Sequence, residues 1–264
     1  MNIGIIGVGT IGKTLAQKLQ AHGHQVRIAN SRGPESLQDF AREIGATATT
    51  VEAAVQGADV IVLTIPLGKL PAIQEVFRAV PPNVTVVETM NYYPQRDGVI
   101  ADLEQGMVHS AWVEKTIGRP VIKAFNNIGA YSLFAAGKPA GTPGRIALSV
   151  SGDDDAAKQV VIELVNQTGF DGYDAGPLAD SWRQQPGTPA YCTDLPLAEA
   201  QAARALAERT EAPAHRDAVM QEMGSLGQEY MDILLSGQYP AGFVDHGVDI
   251  NRAHFGLPAR PTIY

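Results

Sequence analysis

The chain offers almost no sulfhydryl chemistry, because Cys192 is the single cysteine among 264 residues. An internal disulfide is excluded, and no neighbouring residue supplies a base to activate the thiol, so a packed thiol in a reducing compartment is expected. Long apolar runs are lacking, as is a basic leader with a cleavage pattern, so the expectation is no membrane span and a cytoplasmic location. Positive charge is in deficit: 20 Lys and Arg stand against 28 Asp and Glu, a formal net charge of −8. That balance argues against a nucleic-acid or anionic-membrane partner. The six histidines show no metal-ligand spacing, and no metal is expected. What remains, 45% hydrophobic and 18% charged residues, suits a globular fold of one large domain with room for a smaller appendage.

Against these absences stand the first thirty-odd residues. An apolar run, Asn2 to Ile6, leads into Gly7-Val8-Gly9-Thr10-Ile11-Gly12 and then into the helical pattern Lys13 to Ala21. A strand that turns through GxGxxG into a helix aims free backbone N–H groups and the positive helix end at a pyrophosphate. Gly7 would make the turn, Gly9 would admit the pyrophosphate, and Gly12 would let helix and strand pack closely. The next strand-like run ends at Asn30-Ser31-Arg32, where an NAD site usually carries an acidic residue for the ribose 2′-OH. A carboxylate would repel a 2′-phosphate, whereas a hydroxyl and a guanidinium donate to it in hydrogen bonds of about 1.5–3 kcal/mol each. The expected cofactor is therefore NADP(H). The competing reading is a solvated loop arginine, with Ser31 capping the next helix.

Short apolar strands then alternate with helical segments, the pattern of a parallel sheet covered on both faces. Asp59–Ile65, Val84–Thr89 and Val121–Phe125 read as strands, with a helical crossover from Gly68 to Val80. Arg145–Ser151 reads as a strand, Asp153–Thr168 as a helix capped by its acidic start, and Phe170–Tyr173 as a short last strand. The expected fold class is α/β, a Rossmann-type doubly wound and mainly parallel sheet followed by a C-terminal helical segment. Residues 1–180 would form the nucleotide domain. Residues 181–264 would be an irregular connection plus helices, serving the acceptor site or a dimer interface. Their main helix, about Arg216 to Leu235, carries the stripe Val219, Met223, Leu226, Tyr230 and Ile233, which must pack on this chain or on a second copy. A homodimer is expected.

In an open parallel sheet the ligand lies across the carboxyl ends of the strands. Thr64, Ile65 and Pro66 would run beside the nucleotide through backbone contacts. Asn91, Tyr92 and Tyr93 follow the next strand, and Asn126, Asn127, Ile128 and Gly129 the one after. Asparagine amides hold a carboxamide or carbonyl without titrating. The bland readings are aromatic packing for Tyr92 and Tyr93, and turn formation for one of the two asparagines. In the tail, Trp182 could stack on a ring and Arg183 meet an anion, or the tryptophan could pack in a rigid spacer.

GVGTIG, the run Asn30 to Pro34, VLTIP at Val62 to Pro66, TMNYYP at Thr89 to Pro94, KAFNN at Lys123 to Asn127 and DAGPL at Asp174 to Leu178 together resemble the NADP oxidoreductases dependent on coenzyme F420, a deazaflavin. The same set is similar to the reductase domain of the STEAP metalloreductases. The resemblance covers Met1 to about Leu178. It implies direct hydride transfer between nicotinamide and a deazaflavin or flavin, with Thr10 and Ile11 at the pyrophosphate, Ser31 and Arg32 at the 2′-phosphate, and Asn126 to Ile128 at the redox face. Stacked rings need positioning and exclusion of water more than an acid, and no acid/base pair announces itself. The related 3-hydroxyacid dehydrogenases use a lysine just beyond a glycine-rich turn, and Asn126 to Tyr131 contains none.

The chain continues past Leu178, and from Asp180 onward it carries 11 acidic and 6 basic residues. That excess disfavours a polyanionic deazaflavin, so a small carbonyl or imine substrate stays in view. Such a substrate requires a proton donor, for which His109, Tyr92, Tyr93 and Tyr131 are candidates beside Asn127 as a polar group. A non-catalytic NADPH-binding redox sensor is the third reading.

Overall fold

The computed structural model describes residues 1–260. In chain order its elements are β1 (Asn2–Ile6), α1 (Thr10–Ala21), β2 (Gln25–Ala29), α2 (Gln38–Ile44), β3 (Thr47–Ala48), α3 (Val51–Val55), β4 (Val60–Leu63), β5 (Thr85–Glu88), α4 (Pro94–Asp97), α5 (Ala101–Glu104), α6 (His109–Ile117) and β6 (Ile122–Lys123). Then come α7 (Ala130–Ala135), β7 (Ala147–Val150), α8 (Asp155–Gln167), β8 (Asp171–Asp174), α9 (Leu197–Ala205), α10 (Ala212–Gly224), α11 (Gln228–Ser236) and α12 (His246–His254). Six strands form one parallel sheet in the order β3-β2-β1-β4-β5-β6. The order reverses on either side of β1, which places the crevice for a ligand at the carboxyl ends of β1 and β4.

The strands are apolar on both sides because both sides are covered, and their two-residue period sorts the side chains by face. Ile3, Ile5, Val60 and Val62 pack with Leu15 and Leu19 of α1, Leu133 of α7 and Val161 and Leu164 of α8. Ile6, Ile61 and Leu63 turn the other way, toward Leu67, Leu70, Phe77, Trp112 and Val113. A one-residue slip of any strand would exchange these sets, so burial on both faces holds the register.

Two elements depart from the sequence reading. The crossover expected as an α-helix from Gly68 to Val80 is a run of 3-10 turns, Leu67–Ala79, with Pro71 inside it. Proline brings no N–H and crowds the carbonyl four residues back, which disfavours the α-helical ladder. The single helix expected over Arg216–Leu235 is two, α10 and α11, separated at Gly227, whose φ of +90° takes the chain out of the helical region. The stripe is split accordingly: Val219 is buried, whereas no residue of α11 is.

The strands β7 and β8 pair in parallel with each other through α8 and meet the six-stranded sheet at one antiparallel bridge, Lys123 with Ser151. Asp154 caps α8 by accepting from the Ala157 N–H at 3.0 Å. The tail packs on this pair: the Ala147 N–H donates to the Leu195 carbonyl at 2.9 Å, and Ala147, Tyr173 and Ala190 pack with Leu195, Ala200 and Ala203.

Between the last two strands at one edge of the sheet, β5 and β6, lies an ion pair closed to solvent. Glu88 and Lys123 are register partners at the ends of β5 and β6, both 0% exposed, with Nζ 2.8 Å from Oε1. Lys123 also donates to the Met90 carbonyl at 3.0 Å, while Glu88 accepts from the Met90 N–H at 2.9 Å and from the Ser110 hydroxyl. Removing one partner strands a buried charge. Glu88→Ala should therefore cost about 3–5 kcal/mol in urea unfolding, and Glu88→Leu combined with Lys123→Met much less. Equal losses for the single and double variants would contradict this account.

Candidate functional site

The site begins at the turn after β1. Gly7 has φ +101°, and a side chain there would press on the Thr64 carbonyl at 2.5 Å. A Cβ on Gly12 would collide with the Gly7 carbonyl, so helix and turn are as close as glycine permits. Gly9 differs: a Cβ there would meet nothing within 4 Å, which leaves open space over the N-terminus of α1. That helix has no side-chain cap and no acidic residue in its first turn. Its first N–H groups therefore face the opening unneutralised, the arrangement that accepts an anion. Thr64 reaches the turn with its side chain, the hydroxyl donating to the Gly7 carbonyl at 2.8 Å. Ile65 is half-buried and Pro66 exposed beside it, and the Ile11 side chain packs on the core.

At the end of β2 the three polar residues divide their labour. Asn30 shapes the loop: its Oδ1 accepts from the Arg32 N–H at 2.9 Å and its amide donates to the Ser36 hydroxyl at 3.0 Å. The Ser31 and Arg32 side chains are exposed and make no hydrogen bond or ion pair among the described residues. Gly33, rather than Ser31, precedes the turn that opens the next helical segment, and no side chain caps it.

The loops after β5 and β6 are knitted together by amides. The Asn91 amide donates to the Asn126 carbonyl at 2.8 Å, and the Asn126 amide donates to Asn91 Oδ1 at 3.1 Å and to the Gln184 carbonyl at 2.7 Å. Gln184 returns a bond to Asn126 Oδ1 at 3.0 Å. The polar atoms of both asparagine side chains are thereby occupied within the protein. Asn127 is different: its amide donates to the Ala190 carbonyl at 3.4 Å, while its buried Oδ1 has no partner among the described residues. A buried acceptor without a donor costs about 1–3 kcal/mol, a deficit that a ligand N–H would remove. Around it, Phe125, Cys192 and Asp194 all hold positive φ of 50–57°. Such conformations cost of order 1–3 kcal/mol each and concentrate where geometry is over-determined.

Several residues singled out in the sequence have other employment. Tyr92 is buried and its hydroxyl donates to Glu104 at 2.6 Å and accepts from the Ile100 N–H at 3.1 Å, so it braces a loop. The Ile128 side chain lies in the main core. Trp182 lies beneath two guanidiniums, Arg183 at 4.4 Å and Arg209 at 5.8 Å, which commits both Trp182 and Arg183 to tail packing. Tyr93 hydrogen-bonds the hydroxyl of Tyr191 at 2.7 Å, and burial raises both phenols well above their ordinary range. Tyr131 sits edge-on to Tyr239 and Phe243 of the tail. Cys192 is half-buried, and desolvation pushes its thiol well up, away from nucleophilic use. Tyr191 and Gln184 carried no signal in the sequence, since their partners are supplied only by folding. The Glu88–Lys123 pair did carry one, two opposite charges inside apolar strands.

His109 is held as a neutral imidazole. Its Nδ1 accepts from the Tyr92 N–H at 3.4 Å, and burial together with the charges of Lys123 and Arg216 drives its pKa well below 6.5. It therefore has no imidazolium proton to give near neutrality. Among the described residues no group of three or more His, Cys, Asp or Glu is arranged to hold a metal, and no helix is long and apolar enough to cross a membrane.

The model of a family described as NADP oxidoreductase, coenzyme F420-dependent, matches residues 2–92. Protein YjhV of Escherichia coli (strain K12) is 46% identical over 90 residues, which cover 34% of this chain and 66% of that protein. Among solved structures, the hypothetical protein SMa0349 of Sinorhizobium meliloti is 32% identical, with a TM-score of 0.59 over 70% of this chain and 90% of that one. A protein of Arthrobacter sp. FB24 assigned as an F420-dependent NADP-reductase is 22% identical, with a TM-score of 0.58 over 86% and 96% of the two chains, and shares the fold.

The state of His109 has a measurable sign. The unfolded chain binds this proton near pH 6.5 and the folded chain only well below, so acidification through that region draws the equilibrium toward unfolding. His109→Gln should lose less stability than the parent protein between pH 7 and 5.5, and the His109 ring signals should not titrate there by NMR.

Proposed function

The chain belongs to the family of NADP oxidoreductases described as coenzyme F420-dependent, and from that premise we propose that it is an NADP(H)-dependent oxidoreductase of a small-molecule redox partner. The observation that carries this reading is the pairing of two features at the sheet's switch point. One is an open, uncapped helix N-terminus behind Gly9; the other is an unengaged Ser31–Arg32 pair at the end of the neighbouring strand. The Thr10, Ile11 and Gly12 amides would hold the pyrophosphate, and Ser31 and Arg32 the 2′-phosphate, with Asn30 keeping their loop in shape. Thr64 steadies the turn from behind. Asn127 Oδ1 is the acceptor available to a carboxamide N–H, while Asn91, Asn126 and Gln184 support its loop. NADP(H) itself supplies the hydride, and the chain's part is to bind, orient and exclude water.

For the acceptor, the family description supports a deazaflavin or flavin, which needs a stacking face and little side-chain chemistry. A small carbonyl or imine is the second reading, favoured by the acidic tail and by the aromatic cluster of Tyr131, Tyr239 and Phe243 where it packs. NADPH oxidation assayed with a deazaflavin, FMN, aldehydes, ketones and cyclic imines distinguishes them. Tight NADPH binding with no acceptor turned over would favour a sensor.

The cofactor has its own test. Arg32→Ala should weaken NADPH by about tenfold or more and leave NADH nearly unchanged, because a charge-assisted hydrogen bond is worth roughly 1.5–3 kcal/mol. Equal weakening of both dinucleotides, measured by fluorescence titration, would refute the assignment of Arg32 to the 2′-phosphate.

A further inference from the structure

The tail does more than pack on β7 and β8. After the break at Gly227, the segment from Gln228 to Val244 touches the glycine-rich turn's helix α1 and the helix α7 beside it. At the pyrophosphate end, Gly237, which closes α11, stands against Thr10: a Cβ there would lie 3.0 Å from Thr10 Cγ2. Just beyond it, the Tyr239 and Phe243 rings meet Tyr131 edge-on at 4.8 and 4.9 Å. Tyr131 belongs to α7, the helix that directly follows the Asn126–Gly129 loop.

The segment is tied at its far side and loose along its length. Tyr230 stacks on Phe243 at 5.5 Å and donates to Asp245 at 3.1 Å, and Asp245 is buried beside Gly129. By contrast α11 buries no residue, and Leu235 is 69% exposed. A helix so held opens at low cost relative to the sheet. It does not plug the cleft, because the space over Gly9 stays free.

Among the described residues, the buried polar atoms without a partner include Asn127 Oδ1 of the strand-end loop and the Tyr239 hydroxyl of the tail. Burial without a partner is unfavourable for each, and a polar ligand group within reach of either would relieve it.

We propose that residues 228–244 form the outer wall of the NADP(H) site, a strap that closes on the bound dinucleotide through the Gly237–Thr10 contact and the Tyr131–Tyr239–Phe243 cluster. The proposal rests on the reading that NADP(H) occupies the glycine-rich cleft. A wall of this kind acts chiefly on release, since it adds contacts to the complex without altering the phosphate-binding groups.

Two measurements test it. Chymotrypsin cuts after leucine and aromatic residues, so saturating NADPH should slow cleavage of the full-length protein at Leu235 and Tyr239 by about tenfold or more, following the reduced population of the open strap. Tyr239→Ala combined with Phe243→Ala should speed NADPH release in stopped-flow fluorescence by about tenfold, with the thermal unfolding of the sheet domain retained. Failure of the parent protein to bind NADPH would overturn both the cofactor reading and the strap. Tight binding with unchanged cleavage would overturn the strap alone and leave the cofactor reading standing. Should the double variant not fold, the cleavage experiment on the parent protein decides the question by itself.

Discussion

The constraint on which the rest of the site depends is the buried pair Glu88–Lys123. It joins the last residues of β5 and β6 below the loops that follow them; both charges also hydrogen-bond Met90, and Glu88 accepts from Ser110 besides. Neighbouring parallel strands are tied along their lengths by backbone bonds, but strand ends splay where the ladder stops. Here the splay is opposed by a Coulombic contact in a medium of low dielectric, which strengthens attraction while penalising any separation. The Asn91, Asn126 and Asn127 loops therefore start from a fixed floor. The same lysine charge helps to keep His109 neutral above that floor. A device for holding two strand ends thus also sets the protonation of a neighbouring ring.

Over this floor the site divides into groups already satisfied and groups left open. Asn91, Asn126 and Gln184 exhaust one another, and Tyr92 is spent on Glu104. Asn127 Oδ1, the exposed Ser31 and Arg32 side chains and the uncapped start of α1 are what the fold leaves available. These open groups are acceptors, donors and a dipole, with no strong acid among them. They suit holding a dinucleotide still better than moving protons about, in keeping with chemistry in which the hydride comes from the cofactor.

Legibility in the sequence followed the range of the interactions involved. The β1 turn, the paired strands and the helix opened by Asp154 are local, written in runs of apolar residues, glycines and caps, and they reappear within one or two residues. The 3-10 crossover was local too, and Pro71 inside the run was its visible cause. The Glu88–Lys123 partnership needed the strand order, since a charge in an apolar strand names no partner until β5 is known to lie beside β6. Tyr191 meets Tyr93 across 98 positions and Gln184 meets Asn126 across 58. No periodicity encodes contacts of that length; they arise where the tail returns to the sheet.

That return has a consequence for how the protein is made. Thr10 and Gly237 touch in the fold but stand roughly 230 positions apart in the chain. At a synthesis rate of about 5–20 residues per second, the glycine-rich turn leaves the ribosome roughly 10–45 seconds before its tail neighbour exists. The nascent sheet spends that interval with its cleft uncovered, its first βαβ unit already able to form. On the proposed cofactor reading, a dinucleotide can therefore meet the glycine-rich turn before the last helices exist to assemble around it.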